Sequence, residues 1–465
     1  MFNKLKKAFS LLLIVVSLLC IKTVVSLDIL PGKYLFLLFV FMLILNILNI
    51  VLLGINKKWA YIVTIFISLI ILLSSIIGIK YGKDTIDFLN KAFGNHNVEI
   101  TTYDVITLKS NHYNDIDDII GLDVGYLKSD DNSYLNKITD VNYLEYEDIY
   151  EIYSDLLNDK IKVIFIEDAY IDILKEEYSD IEDKIRVIDS FDIENEIVKV
   201  PKSTKNNNSF NIYISGSDSR STKIYNKTRS DVNMIVSVNM DTHKVLITSI
   251  PRDYYVLVHG KTGLKDKLTH SGIYGLDIST KTLEDLFDIE IDYSIKVGFN
   301  AVVELVDLVG GVDIYSDTTF NSFHMPGWVV YKGMNHMDGK KALAYSRERY
   351  AYASGDRHRI RNQQQVLEAV LTKVLSDKKM LLKYDDLLDE FSNLYITNMP
   401  SDVITNLVKK QLDTMPKWSF ESNWVDGKGA MLPTYTAPNS KRYVMIPNEE
   451  DLKTASKRIN DLINE

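Results

Sequence analysis

Residues 345–365 read YSRERYAYASGDRHRIRNQQQ. Five of the chain's 11 arginines, Arg347, Arg349, Arg357, Arg359 and Arg361, fall within 15 residues there, in a sequence that otherwise prefers lysine, with 42 of them. Arg220, Arg229 and Arg252 lie in the stretch that begins at residue 211. A guanidinium is a planar fork of donors that grips phosphate or carboxylate bidentately, whereas an ammonium is a point charge. Concentrating arginine in one region points to that geometry, or else to a solvated basic face.

The spacing sharpens the first reading. If residues 345–350 are extended, Arg347 and Arg349 point to one side and Glu348 to the other. Asp356 follows Gly355 and can cap a helix that begins at Arg357. Ile360, Leu367, Leu371 and Val374 mark its buried stripe. Arg359 and Gln363, four apart, share a face one turn into that helix. Its N-terminus favours an anion. Strand end and helix start would together form a cationic pocket for a phosphate-bearing ligand.

Strands alternating with helices from residue 210 onward would carry this pocket. NIYISGSDSRS, SDVNMIVSVNM, HKVLITSIPRDYYV, SIKVGFN and VDIYSD read as strands, with an apolar helix over 301–309 and a break at Gly310 and Gly311. This predicts a layered α/β/α domain with a central, mostly mixed sheet. Ligands of such sheets collect at loops beyond strand ends. Asp218, Asp231 and Arg252 all fall at strand ends or starts. Residues 383–465 read as helical with irregular loops and are expected to pack on this domain.

Three apolar runs, 8–25, 34–55 and 59–79, precede all of this. The second and third are free of charge, long enough for a hydrocarbon core about 30 Å thick. Lys4, Lys6, Lys7, Lys57 and Lys58 lie on one side against Lys22 and Lys33 on the other. The positive-inside rule then places the N-terminus and the turn at Asn56 in the cytoplasm, and everything after residue 80 outside. Residues 84–200 carry 29 acidic and 10 basic side chains, a local net of −19 against −10 for the whole chain. Strands at 104–108, 119–124 and 161–166 with helices at 143–157 and 169–178 suggest a small acidic α/β domain. Its carboxylates read as a solvated surface. A polar linker, 201–209, follows. The expected organisation is three transmembrane helices over 1–83, an acidic accessory domain over 84–200, the linker, and the second α/β domain over 210–465. The single cysteine, Cys20, lies in the first apolar run, which leaves no disulfide framework, cysteine-built zinc site or thiol nucleophile within one chain.

ISGSDSRS, SDVNMIVSVN, ITSIPRDYYV, DKLTHSGIYG, VGFNAVVELVDLVGGVDI, HMDGKKALAYSRERY and GDRHRIRNQQQVL occur in this order over residues 210–375. The chain resembles the LytR-CpsA-Psr family, and its three spans with an acidic module resemble the capsule-type subgroup. The resemblance implies an exoplasmic phosphotransferase. It would move a glycopolymer, capsular or teichoic-acid-like, from a polyprenyl-pyrophosphate carrier to peptidoglycan through a phosphodiester. It also implies Mg²⁺ (or Mn²⁺), a lipid membrane and wall-polymer assembly proteins as partners. The family's metal-binding aspartates match Asp218 and Asp231. Its pyrophosphate-binding side chains match Arg229, Arg252, Arg347, Arg349, Arg359 and Gln363. Of these, Arg252, Arg347 and Arg349 are expected to act in the chemistry. Asp356 is a candidate to take the acceptor's proton, although a helix cap explains it equally well. His270 and His358 fall near the motifs and read as structural or pocket-lining.

Three other functions fit parts of the pattern: a lipid-pyrophosphate phosphatase with water as acceptor, a non-enzymatic regulator or scaffold of wall-polymer assembly, and a nucleic-acid binder. The last is suggested by arginines interleaved with Tyr345, Tyr350 and Tyr352. The expected outside location and the acidic neighbour argue against it.

Overall fold

The computed structural model describes residues 2–55, 57–93, 98–129, 132–196, 208–218, 224–352, 355–382 and 394–465. Most of the 201–209 linker, Arg220 and the turn residue Asn56 lie outside the described residues. The chain divides into two compact units.

The first unit contains α1 (Phe2–Ser26), α2 (Gly32–Gly54) and α3 (Lys58–Phe93). All three include a segment long and apolar enough to cross a membrane. α3 continues as helix well past the apolar run that ends at residue 79. Buried amides tie the spans together: Asn46 Nδ2 donates to Ser17 Oγ at 3.0 Å, and Asn49 Nδ2 donates to Ser68 Oγ at 2.7 Å. Such bonds hold helices where lipid offers no polar partner. The helix Ser401–Thr414 also belongs to this unit. Its Val408 and Leu412 pack with Ile29 and Leu381, and Lys409 pairs with Asp28 at 2.6 Å. The tail is therefore divided between the units rather than packed wholly on the second α/β domain.

In the second unit, five strands form the acidic domain: β1 (Val98–Leu108), β2 (Asp123–Leu127), β3 (Asn142–Tyr146), β4 (Val163–Glu167) and β5 (Ile185–Glu196). Their order is β3-β2-β4-β1-β5, with β2 parallel to both β3 and β4 and β1 antiparallel to β4 and β5. The helix expected over 143–157 is two elements. Residues 142–146 pair with β2 as a strand, and α4 (Ile149–Leu157) starts only after Asp148, whose Oδ1 accepts Tyr150 N–H at 2.8 Å and Glu151 N–H at 3.2 Å. Cap and strand pairing override the helical spacing. The strand expected at 119–124 begins instead at Asp123, after a short helical turn. α5 (Ala169–Leu174) stops short of Tyr178.

The larger domain is built on six strands in the order Tyr395–Thr397, Tyr293–Gly298, β6 (Ser209–Ser217), β7 (Val232–Asn239), β8 (Lys244–Ile250), Ser419–Trp424. Two of the five pairings are parallel and three antiparallel, a mixed sheet. Both edge strands come from the stretch read as helical tail. On one face, Leu283 and Phe287 of the helix Leu276–Phe287 and Ala455 and Ile459 of the helix Glu449–Asn464 pack on Tyr213, Ile235 and Leu246. Each large side chain buried this way contributes about 1.5–3 kcal/mol. On the other face lies the helix Asp356–Ser376. Its buried Gln364 donates to Ser249 Oγ at 3.0 Å and to Asn423 O at 2.7 Å, so it staples the helix to β8 and the edge strand. The buried stripe is Ile360, Val366 and Val370 with polar Asn362 and Gln364 between them, which apolar periodicity alone does not reveal.

Candidate active site

One edge of the mixed sheet, formed by the ends of its central strands and not by an edge strand, collects the charged residues. β6 ends at Ser217, so Asp218 emerges there. β7 runs antiparallel with Val232 opposite Gly216, and Asp231 N–H donates to Gly216 O at 2.8 Å. Asp218 and Asp231 therefore leave the sheet at the same edge. β8 ends there too, with Ile250 opposite Asn233, and Arg252 follows one residue after Pro251. The parallel neighbour places Gly298 opposite Ser217 and hands over to the helix Phe299–Leu308.

Asp231 is the hub of the first cluster. Its Oδ1 accepts Arg252 Nη1 at 2.7 Å and lies 3.5 Å from Thr269 Oγ1, and its Oδ2 lies 3.5 Å from Arg229 Nη2. Arg229 Nη1 also donates to Glu176 Oε1 at 2.5 Å, and Lys267 Nζ donates to Glu176 Oε2 at 2.8 Å. Asp253 stands 3.8 Å from Arg252 and 3.7 Å from Lys267. Burial works against the charged form of Arg252, but Asp231, Asp253 and Glu176 outweigh it and hold that guanidinium above its ordinary value.

The loop that presents Arg229 is fixed from beneath. Lys296 is fully buried, and its ammonium donates to Asn226 O at 2.6 Å and Thr228 O at 2.7 Å. Ser230 Oγ and Ser215 Oγ share a hydrogen bond of 2.7 Å. Gly272 packs so closely that a Cβ there would meet Thr228 O at 2.4 Å.

Residues 345–347 are not extended, contrary to the alternation expected of them. The helix Gly339–Arg347, capped by Asp338 through Lys341 N–H, runs to Arg347, and the chain extends only from Glu348. Arg347 lies over the Phe299 ring at 4.8 Å and 3.8 Å from Asp218 Oδ1. Arg349 donates to the Tyr350 hydroxyl at 2.7 Å. Glu348 does not face solvent. It is fully buried, and its carboxylate accepts Phe323 N–H at 2.8 Å, Tyr350 N–H at 3.0 Å and Ala351 N–H at 3.3 Å.

The helix Asp356–Ser376 starts at Asp356, whose side chain pairs with Arg359 at 2.8 Å. Burial pushes Arg359 below the ordinary guanidinium value; Asp356 opposes the shift, and the fields of Arg252 and Arg349 add to it. Arg359 thus lies within electrostatic reach of Asp231, Arg252 and Arg349. Gln363 follows it on the same helix face. His358 stacks on Tyr352 with ring centroids 3.4 Å apart, and burial lowers its pKa. His270 Nδ1 meets Asp266 Oδ1 at 2.8 Å inside the fold. Neither geometry is that of a nucleophile.

Asp231, Arg229, Arg252, Arg349 and Arg359 are linked by these pairings and fields, and Asp218 and Arg347 form a separate pair. Sequence reading missed Glu176, Lys267, Lys296 and the burial of Glu348. Lys267 stands in the motif DKLTHSG, but nothing local marks Glu176. Among the described residues no group of three or more His, Cys, Asp or Glu could hold a metal. Mg²⁺ takes one or two carboxylates and completes its shell with phosphate oxygens and water, so Asp218 and Asp231 are the side chains that would hold it. Asp231 Oδ2 is buried without a hydrogen-bond partner, as such a ligand atom would be.

The LytR_cpsA_psr family model matches residues 174–454. A Bacillus cereus protein named polyisoprenyl-teichoic acid–peptidoglycan teichoic acid transferase TagU is 34% identical over 205 residues, 44% of this chain and 65% of that one. The Bacillus licheniformis protein of the same name is 33% identical over 228 residues, 49% and 68% of the two chains. The first of these alignments spans just under two thirds of its relative's own length. The crystal structure of B. subtilis TagV is similar at 26% identity and a TM-score of 0.46, over 56% of this chain and 99% of that one. The family match takes in all the charged residues gathered at the sheet edge and covers more than half of the sequence: the chain belongs to the LytR-CpsA-Psr family.

Proposed function

We propose that the chain is a membrane-anchored phosphotransferase acting outside the cytoplasm. It would join a glycopolymer, carried on a polyprenyl pyrophosphate, to peptidoglycan through a phosphodiester. One observation carries this reading: arginines and two carboxylates from separate strands and helices converge on one sheet edge. The activity for which the relatives are named, teichoic acid transfer to peptidoglycan, supports the polymer class. The lysine bias around the spans supports the orientation, with the N-terminus inside and residues after 80 outside.

In this reaction an acceptor hydroxyl attacks the phosphorus next to the saccharide. The bond from that phosphorus to the bridging oxygen breaks, polyprenyl phosphate leaves, and the hydroxyl proton is released. Positioning and charge neutralisation do most of the work. Arg252, Arg347 and Arg349 would grip non-bridging oxygens of the reacting and leaving phosphates. Arg229, Arg359 and Gln363 would complete the cradle. Mg²⁺, held by Asp218 and Asp231, would supply further neutralisation when bound. Asp356, half exposed at the helix start, is the carboxylate we assign to accept the proton.

The test is incubation of the detergent-purified full chain with a lipid-pyrophosphate-linked saccharide, peptidoglycan oligomers and Mg²⁺, followed by mass analysis. A saccharide–phosphate–peptidoglycan product is expected. Saccharide phosphate alone would make the chain a phosphatase, and intact donor would make it a binder.

A further inference from the structure

The acidic domain does more than sit beside the charged edge. Glu176, in the turn just after α5, is a carboxylate of that domain that pairs with Arg229 of the charged edge. Four cationic or basic groups converge on it: Arg229 at 2.5 Å, Lys267 at 2.8 Å, and Arg252 and His270 each at 4.0 Å. The side chain is 11% exposed. Arg229 bridges it to Asp231, and Asp231 in turn holds Arg252. The result is a chain of alternating charge, Glu176–Arg229–Asp231–Arg252, that starts in one domain and ends at the pocket of the other.

We propose that Glu176 is a positioning residue for the transfer reaction, so that the acidic domain completes the active site of the larger one. This rests on the transferase reading above. Arg229, Arg252 and Lys267 stand close together, and Asp231 and Asp253 alone leave the group with one excess positive charge. Glu176 supplies the missing negative charge and fixes the direction of the Arg229 fork, and through it the carboxylate of Asp231.

A carboxylate among arginines could instead be a competitor that must leave before a pyrophosphate binds. The packing speaks against that role. Ile273 and Ala437 of the larger domain share one apolar cluster with Ile149, Ile152 and Leu174 of the acidic domain. Arg442 lies over the Tyr150 ring at 3.6 Å and pairs with Glu177, and Ile149 N–H donates to Thr436 O at 3.2 Å. Moving the backbone that carries Glu176 out of the site would break this interface. It is built as a wall of the site and not as a plug.

The test compares wild type, Glu176→Gln and Glu177→Gln as full chains. Two readouts are needed: single-turnover transfer, and binding of a short-chain prenyl pyrophosphate by calorimetry. Glu176→Gln keeps the shape but removes the charge. Transfer is expected to fall about 10- to 100-fold, as for loss of one charge-assisted contact felt in the transition state. Binding should stay within about threefold or tighten, because the pocket becomes more positive. Glu177→Gln, which touches only the interface, should transfer within about threefold of wild type. In an Arg229→Ala background, Glu176→Gln should cost little more, since the two act as one unit. Faster transfer by Glu176→Gln would make Glu176 a competitor and overturn the proposal. So would unchanged transfer, additive losses with Arg229→Ala, or an equal loss in Glu177→Gln. A wild type that binds the pyrophosphate yet transfers nothing would sink the transferase reading and this inference with it. A transferring wild type with an indifferent Glu176 sinks the inference alone.

Discussion

Glu348 sits between Arg347 and Arg349, and replacing it with glutamine tests whether the arginine segment is held as described. Its Oε2 takes Phe323 N–H, and its Oε1 takes both Tyr350 N–H and Ala351 N–H. Glutamine has one oxygen and one NH₂ in those places. If the NH₂ faces Phe323, one buried donor loses its acceptor; if it faces Tyr350 and Ala351, two do. The smaller loss is one charge-assisted hydrogen bond, about 1.5–3 kcal/mol. At roughly 2–4 °C per kcal/mol for a domain of this size, the Tm should fall by roughly 3–12 °C. Arg349 begins the turn that these bonds close. A shift of about 1 Å in a phosphate-gripping group can cost about a hundredfold in rate, so transfer should fall at least about tenfold. Calorimetry and single-turnover transfer on the same preparation read both effects. Wild-type Tm and wild-type rate in Glu348→Gln would refute the claim that this carboxylate orders the segment.

Arg347→Lys and Arg349→Lys keep the charge and lose the fork; each should lower transfer about 10- to 100-fold, and near-normal rates would remove the segment from the site. Asp218 is half exposed and Asp231 is buried in ion pairs, so Asp218→Ala should leave the Tm unchanged. Asp231→Ala should cost about 3–5 kcal/mol, and transfer should fall in both. Full activity of both in chelator would make them structural. Gly272→Ala should displace the Thr228–Ser230 backbone and lower transfer more than about tenfold, and an unaffected variant would show that the Arg229 loop is not held by this contact. Burial would raise the Glu176 carboxyl, but His270, Lys267, Arg229 and Arg252 hold it down at about 2, below the ordinary 4.5. A lowered pKa stabilises the fold above the ordinary value and is lost as pH falls through the folded one. Wild-type Tm should therefore drop more steeply than that of Glu176→Gln between pH 4.5 and 2, and parallel curves would contradict the ion cluster.

Strand-end residues were the most legible part of the site. Asp218, Asp231 and Arg252 each follow or precede a short, nearly continuous apolar run, and the sheet edge they share follows from simple antiparallel order. Tyr345 and Arg347 were misread because alternating Arg, Glu and Arg look extended. The Asp338 cap and the seat of Gly339 against Val303 make that stretch helical, and neither is visible in the local charge pattern. Ser419–Trp424 joins the sheet by parallel pairing to β8, a contact 175 residues away that no local signal specifies. Glu176 is invisible for the same reason. One glutamate among 29 acidic residues in its domain becomes distinctive only when folding brings Arg229 and Lys267 to it.

The most direct test of the central claim follows the phosphorus itself. The donor is labelled with ³²P at the phosphate adjoining the saccharide and incubated with the full chain, Mg²⁺ and peptidoglycan oligomers, and the lipid and glycan fractions are then separated. In-line attack on that phosphorus predicts that the label enters the peptidoglycan together with the saccharide, while unlabelled polyprenyl phosphate leaves. Label recovered as polyprenyl phosphate, or as free saccharide phosphate with the peptidoglycan unlabelled, would contradict it.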